Sequence, residues 1–139
     1  MKLRLTKQFD FQMAHALSGY DGKCRNIHGH NYRLFVTVEG EPVVDARCAK
    51  NGMVMDFSDI KSVVEQYVIE PLDHALVLPK ESPLLKDLET KTVVTPFQPT
   101  CENLLLYFAS LLEGKFPPEV KLYSMRLHET ESSFAELFL

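Results

Sequence analysis

Hydrophobic and polar residues alternate along the first forty residues in a pattern that predicts two β-strands. Alternate side chains of a strand point to the same face, so each predicted strand has one apolar face. In the segment from Leu3 to His15 the apolar face falls on odd positions, namely Leu3, Leu5, Phe9, Phe11, Met13 and His15. In the segment from His30 to Val38 it falls on even positions, namely His30, Tyr32, Leu34, Val36 and Val38. If the two strands pair, His15, His28 and His30 lie at the edge of one buried side.

The middle of the chain predicts two amphipathic helices. Ser58 is a good N-cap for the first, which Pro71 ends, and Thr100 caps the second, which ends near Gly114. In both helices the apolar residues recur at intervals of three and four, which places them on one helix face. They are Ile60, Val63, Val64, Tyr67 and Val68 in the first helix, and Leu104, Leu105, Phe108, Leu111 and Leu112 in the second.

The remaining segments predict loops and two final strands. Residues 41–52 form a loop, and residues 79–99, with four prolines, form an irregular connection with one helical turn near Leu84 to Leu88. Apolar and polar residues alternate again from Lys121 to Glu129 and from Phe134 to Leu139, which predicts two strands. One face of the first of these strands carries Tyr123, Met125, Leu127 and Glu129. The order β-β-α-α-β-β predicts one α+β domain over residues 1–139, an antiparallel sheet with helices on one face. Such a sheet has exposed edges, which oligomerisation would protect.

Composition and charge narrow the classes of function. The net charge of -4 argues against a general nucleic-acid or membrane-surface binder. No segment has the apolar length of a signal peptide or a membrane span, which favours a cytoplasmic protein. The three cysteines are an odd number, and we expect free thiols in a reducing compartment.

The histidines provide the first candidate chemistry. Three neutral imidazoles from His15, His28 and His30 around one point would form a first-row metal site, most plausibly for zinc. Cys24, four residues before His28, has two interpretations. As a fourth ligand it would close a structural site, whereas a shell of three histidines leaves a position open for catalysis. Spacing alone leaves both open.

Two further groups of residues are candidates. The adjacent Asp73 and His74 are either a solvated loop pair or a pair in which the carboxylate orients the imidazole. Glu129 lies at the end of an apolar stripe and therefore needs a partner, either an arginine or a ligand with N–H donors. His128 falls on the opposite face and is excluded from the metal shell. Cys101 is either a core thiol or part of a site.

The motifs that carry this chemistry resemble a known family. They are Phe11-Gln12-Met13-Ala14-His15, the run from Cys24 through His28-Gly29-His30 to Tyr32, Met55-Asp56-Phe57, Leu72-Asp73-His74, Pro99-Thr100-Cys101-Glu102-Asn103 and Glu129-Thr130. In order and spacing the chain resembles the 6-pyruvoyl-tetrahydropterin synthase superfamily over nearly its full length. The resemblance implies the T-fold, or tunnelling fold, whose subunits form barrels. It also implies a homo-oligomer, a hexamer built from two trimers.

The resemblance also implies roles for individual residues. It implies that zinc is bound by His15, His28 and His30, and that the catalytic set comprises Cys24, Asp73 and His74. Glu129 would anchor a pterin through its guanidine-like edge, with Thr100 and Cys101 lining the same substrate site. The triphosphate of the substrate needs cations, and Lys23 and Arg25 are candidates. The alternative is that both are ordinary basic residues of the surface.

The three residues between Cys24 and His28 resemble the bacterial 6-carboxy-tetrahydropterin synthase branch. This implies a zinc-dependent lyase acting on 7,8-dihydroneopterin triphosphate. The products would be 6-carboxy-5,6,7,8-tetrahydropterin, acetaldehyde and triphosphate, in queuosine biosynthesis. A 6-pyruvoyl-type enzyme, which eliminates triphosphate and stops at a different product, is one alternative. A non-catalytic, zinc-stabilised interaction module is the other.

Overall fold

A single six-stranded sheet organises the computed structural model, which describes residues 1–139. The strands are β1 (Leu3–His15), β2 (His28–Gly40), β3 (Ala75–Pro79), β4 (Thr92–Thr95), β5 (Lys121–Thr130) and β6 (Ser133–Phe138). Their order across the sheet is β4-β3-β1-β2-β5-β6. The pairs β1–β2, β2–β5 and β5–β6 are antiparallel, as predicted, whereas β1–β3 and β3–β4 are parallel. The sheet is therefore mixed rather than purely antiparallel.

The parallel strands β3 and β4 lie where we expected a turn and an irregular connection. Their sequence signals are nonetheless present: residues 75–79 are an unbroken apolar run and all are buried, and residues 92–95 are four β-branched residues. Such runs are typical of short strands. The helical turn predicted near Leu84 to Leu88 is wrong. Those residues form turns, because Leu85 and Leu88 pack instead on a small apolar cluster with Leu76 and Leu78.

Both predicted helices form, but the first begins and ends differently from the prediction. Helix α1 (Phe57–Val64) is capped by Asp56, whose carboxylate accepts a hydrogen bond from the Ser58 N–H at 2.8 Å. The predicted N-cap, Ser58, is thus already inside the helix. The helix continues through a π-helical segment (Glu65–Ile69) into the short α2 (Glu70–Leu72), so it passes Pro71. A π turn is one of the ways in which a helix accommodates a kink.

The second predicted helix, α3 (Cys101–Leu112), is capped as expected by Thr100, whose hydroxyl accepts from the Asn103 N–H at 3.2 Å. Helix α3 packs against β5 and β6, and α1 and α2 against β1. The helices therefore cover one face of the sheet, and the core lies between them. None of the helices has both the length and the apolar composition needed to span a bilayer.

A bulge in β5 changes the face of one predicted core residue. The β2–β5 register shifts between Thr37 and Val38, so that Leu122 packs on the core. Tyr123 instead stacks against Arg4 on the face without helices, where the guanidinium carbon lies 3.6 Å from the centroid of the tyrosine ring. The prediction that Tyr123 shares a face with Met125 is therefore wrong, because one extra residue in a strand reverses the alternation beyond it.

Candidate metal centre

The β1–β2 pairing places three histidines at one end of the sheet. His15 lies directly opposite His28, and Met13 lies opposite His30. All three rings are on the helix-covered face, as strand alternation predicts. One nitrogen from each ring lies within 4.8 Å of the others, a spacing that can hold a metal ion.

The hydrogen bonds of the rings show that the nitrogen lone pairs face one another. The Nδ1–H of His15 donates to the Pro99 carbonyl, and the Nδ1–H of His28 donates to the Asn26 carbonyl, both at 2.7 Å. Each neutral ring is thereby left with an unprotonated Nε2. These two Nε2 atoms are 3.0 Å apart, close to the roughly 3.3 Å expected for two nitrogens on a tetrahedral ion with bonds of about 2.0–2.1 Å. The Nε2 of His30 is buried with no hydrogen-bond partner.

This donor set fits a metal ion better than it fits a metal-free hydrogen-bond network. Two facing lone pairs and one orphaned buried nitrogen need a shared electrophile. Burial lowers the pKa of both His15 and His30, although the Glu129 carboxylate acts in the opposite direction. The lowered pKa favours neutral rings, and a histidine must be neutral to bind a metal. The two main-chain carbonyls that orient the rings could not be predicted, because a carbonyl has no residue-type signature.

Glu129 lies beside the three histidines. Its Oε1 is 3.5 Å from the Nε2 of His15 and 3.9 Å from the Nε2 of His30. No arginine or lysine pairs with this carboxylate, and 28% of the side chain is exposed. Of the two partners predicted for this carboxylate, a ligand or an arginine, the arginine is not present within the chain. His128, as expected, points to the other face, where its ring contacts Phe35 and Phe134.

Cys24 shares a cavity of about 270 Å³ with His15 and Glu129. The thiol is half-buried and free, as are Cys48 and Cys101, in agreement with the expectation of unpaired cysteines. It lies in a 3₁₀ turn (Lys23–Arg25) in the connection between β1 and β2. The structure therefore brings Cys24 to the metal centre.

Thr100 and Cys101 line the same cavity, at the first turn of α3. The Cys101 thiol donates to the Leu127 carbonyl at 3.3 Å, and burial raises its pKa to about 11. Burial and this hydrogen bond both favour the neutral thiol. Lys23 and Arg25, on either side of Cys24, are exposed and form no ion pair.

Asp73 and His74 form a pair, but within one chain they are not part of this cavity. The Asp73 Oδ1 lies 2.9 Å from the His74 Nδ1 and also accepts from the Gln12 N–H at 3.0 Å. His74 has a left-handed backbone, with φ of 60°. The pair lines a groove of the open face together with outward residues such as Gln12 and Asn31, and His74 also lines a second groove that reaches His30. No residue of those grooves also lines the Cys24 cavity.

Comparison with known proteins shows the family to which this fold and site belong. The family model described as 6-pyruvoyl tetrahydropterin synthase matches residues 4–138. The chain belongs to this family. It is an enzyme family, and its member from Haemophilus influenzae, a 6-carboxy-5,6,7,8-tetrahydropterin synthase, is 39% identical over 96% of both chains. The human 6-pyruvoyl tetrahydrobiopterin synthase is 35% identical over 81% of this chain and 68% of its own.

Solved structures confirm the fold. The 6-pyruvoyl tetrahydropterin synthase of Caenorhabditis elegans superposes with a TM-score of 0.71 at 27% identity, covering 100% of this chain and 96% of its own. A protein of Wolinella succinogenes superposes with a TM-score of 0.80 at 22% identity, covering 99% and 98%. The predicted T-fold is thus the fold of the chain, with a mixed six-stranded sheet.

Proposed function

We propose that the protein converts 7,8-dihydroneopterin triphosphate and one molecule of water to 6-carboxy-5,6,7,8-tetrahydropterin, acetaldehyde and triphosphate. The observation that carries this proposal is the cluster of three imidazole nitrogens, one of whose histidines, His15, lines a cavity together with Cys24 and Glu129. It agrees with the name of the Haemophilus influenzae relative. The product would serve 7-deazaguanine synthesis in the queuosine pathway.

Zinc is the metal that we propose for His15, His28 and His30. Three neutral imidazoles suit zinc, and a shell of three protein ligands is the catalytic rather than the structural pattern. When bound, the ion supplies Lewis acidity to oxygens of the substrate side chain. We do not place Cys24 in the shell, because the cluster of ligand atoms that lie within 4.8 Å of one another contains the three histidine nitrogens and not the Cys24 Sγ.

The chain's own residues would then bind the pterin and move protons. Glu129 accepts hydrogen bonds from the paired N–H groups of the pterin, which provide the partners that the protein does not. The Sγ of Cys24, as thiolate, removes a proton from the substrate side chain. His74 relays a proton through its ring, which Asp73 orients by the contact to Nδ1. Lys23 and Arg25 are free to meet the triphosphate.

The separation of the Asp73–His74 pair from the Cys24 cavity means that a second copy of the chain would have to supply it. The open face and the two unpaired edge strands, β4 and β6, offer surfaces for such assembly. We therefore propose a homo-oligomer with active sites between subunits, in keeping with the expected hexamer of two trimers.

The decisive experiment is to incubate the purified protein with dihydroneopterin triphosphate and identify the products by mass. Release of acetaldehyde separates the proposed reaction from that of a 6-pyruvoyl-type enzyme. Relatives named for the latter activity are 35–36% identical over 81% of the chain. A 6-pyruvoyl product without acetaldehyde would transfer the assignment to that reaction.

Replacing Cys24 tests its role as a base. Cys24→Ala should retain zinc and fold normally but lose roughly 100-fold or more in turnover, because a positioned general acid–base group contributes about 10²–10⁴-fold. Cys48→Ala removes a thiol from the distant 41–52 loop and serves as the matched control. Loss of zinc from Cys24→Ala, measured by metal analysis, would make the thiol a ligand and contradict the proposed mechanism.

A further inference from the structure

The side chain of Gln98 pairs with the main chain of Ser18, which lies 80 residues earlier in the sequence. The Ser18 N–H donates to the Gln98 Oε1 at 3.0 Å, and the Gln98 Nε2 donates to the Ser18 carbonyl. A carboxamide that donates and accepts in this way binds the main chain of one residue at two points, its N–H and its carbonyl. It therefore fixes both the position and the orientation of Ser18.

Ser18 belongs to the loop that carries Cys24. The Leu17 N–H donates to the Cys24 carbonyl at 2.8 Å, which closes the loop over residues 17–24. The remaining hydrogen bonds of this loop are local, between Gly22 and Arg25 and between Lys23 and Asn26. The two bonds to Gln98 are consequently the ones that attach the loop to a distant part of the chain.

The segment that holds this loop also holds the metal centre. Pro99, the next residue, accepts the hydrogen bond from the Nδ1–H of His15 at 2.7 Å. The Gln98 carbonyl accepts from the Thr100 N–H at 2.8 Å and from the Asn103 Nδ2 at 3.0 Å. These bonds fix the segment on the first turn of α3, so that one rigid support reaches both the Cys24 loop and a histidine of the metal centre.

We propose that Gln98 is a positioning residue that holds the Cys24 loop in register with the His15 end of the metal centre. The proposal rests on the function proposed above only in its effect on turnover. Its effect on the Cys24 thiol is independent of any reaction.

The isosteric variant Gln98→Glu removes the donor while keeping size and shape. An oxygen would then face the Ser18 carbonyl, and two acceptors repel each other. Because small displacements of a reacting group can lower rates about 100-fold, kcat should fall roughly 10- to 100-fold. KM for dihydroneopterin triphosphate should also rise, by no more than about tenfold, because Lys23 and Arg25 lie in the same loop as Cys24. Zinc content should remain that of the wild type because Pro99 holds His15 through its main chain.

The primary measurement is the alkylation rate of Cys24 by iodoacetamide in the substrate-free protein, resolved from Cys48 and Cys101 by peptide mass spectrometry. We expect Cys24 to react several-fold faster in Gln98→Glu, with Cys48 unchanged. The matched control is Gln66→Glu, which makes the same charge change at an exposed glutamine of the π segment and should alter neither rate nor turnover. Gln98→Met removes the pairing without adding charge and should behave as Gln98→Glu does.

The outcomes separate this proposal from the proposed function. Faster alkylation with unchanged turnover would support the positioning role and count against Cys24 as the base. Unchanged alkylation would overturn the positioning role, whatever happens to turnover. Loss of the folded circular dichroism signal in both Gln98 variants would make Gln98 a general folding residue, and would also overturn it.

Discussion

At the scale of single residues, Glu129 is distinguished by its histidine neighbours and by its lack of a cationic partner. It is a carboxylate next to two neutral imidazoles, and the protein gives it no cationic partner. Its charge acts to raise the pKa of His15 and His30, but burial outweighs that effect in both rings. The carboxylate is therefore available to a ligand that brings N–H donors.

Replacement of this carboxylate should weaken pterin binding while sparing the metal. In Glu129→Gln we expect the Kd for dihydroneopterin to rise roughly 10- to 100-fold, because hydrogen bonds to a charged group contribute about 1.5–3 kcal/mol each. Fluorescence titration would measure the affinity, and metal analysis would measure zinc. The opposite pattern, with zinc lost and pterin affinity kept, would show that Glu129 is a metal ligand.

The two cations beside Cys24 should contribute only when the substrate carries its triphosphate. Lys23→Ala and Arg25→Ala should each weaken binding of dihydroneopterin triphosphate by about tenfold, and of dihydroneopterin hardly at all, because a solvated cation acts on the phosphates by charge. Arg47→Ala, in an exposed loop, is the control. Equal effects on both ligands would mean that Lys23 and Arg25 do not meet the phosphates.

At the scale of secondary-structure elements, the cap of α1 shows how a prediction can be displaced by two residues. Asp56 and Ser58 are both good N-cap residue types, and sequence alone favoured Ser58 because the apolar helical spacing begins just after it. In the structure the cap is Asp56, whose carboxylate accepts hydrogen bonds from both the N–H and the hydroxyl of Ser58. These bonds lower the pKa of Asp56.

Capping variants should therefore rank in the order that the structure predicts. Asp56→Ala should lower the melting temperature by roughly 3–6 °C, the effect of losing one N-cap in a domain of this size. Ser58→Ala should lower it less, because the Asp56 carboxylate keeps its bond from the main-chain N–H. Thermal unfolding followed by circular dichroism would compare them, and a larger loss in Ser58→Ala would contradict the assignment of the cap.

At the scale of the whole molecule, the sheet separates the proposed machinery onto its two faces. The metal centre, Cys24 and Glu129 lie towards the helices, whereas Asp73 and His74 line the open face. The catalytic unit proposed above would therefore form by contact between copies of the chain.

Mixed oligomers test this requirement. Cys24→Ala and His74→Ala should each be nearly inactive alone. After unfolding and refolding together in equal amounts, they should recover about one quarter of wild-type activity if each site takes Cys24 from one copy and His74 from another. Cys24→Ala mixed with a Cys24→Ala/His74→Ala double variant should recover none. Mixing verified by native mass spectrometry without recovered activity would place both residues in the same chain's site.

Much of this protein could be inferred from local patterns in the sequence. Strand alternation placed His15, His28 and His30 on one face and excluded His128, because the two-residue period of a strand fixes side-chain direction without reference to the rest of the fold. The α3 cap and both apolar helix stripes were also predicted correctly, for the same local reason. The motifs, which are also local, are sufficient to indicate the family.

Other features depend on contacts between distant segments, which a local pattern does not contain. The pairing of β3 with β1 turned an apparent connection into part of the sheet, and the bulge in β5 moved Tyr123 to the other face. The Pro99 and Asn26 carbonyls set the tautomers of His15 and His28, and Gln98 ties down the Cys24 loop. Local sequence patterns are enough to identify the residues that can do the chemistry. Which of them meet within one chain depends on the tertiary fold, because main-chain hydrogen bonds and strand register are set by partners far away along the sequence.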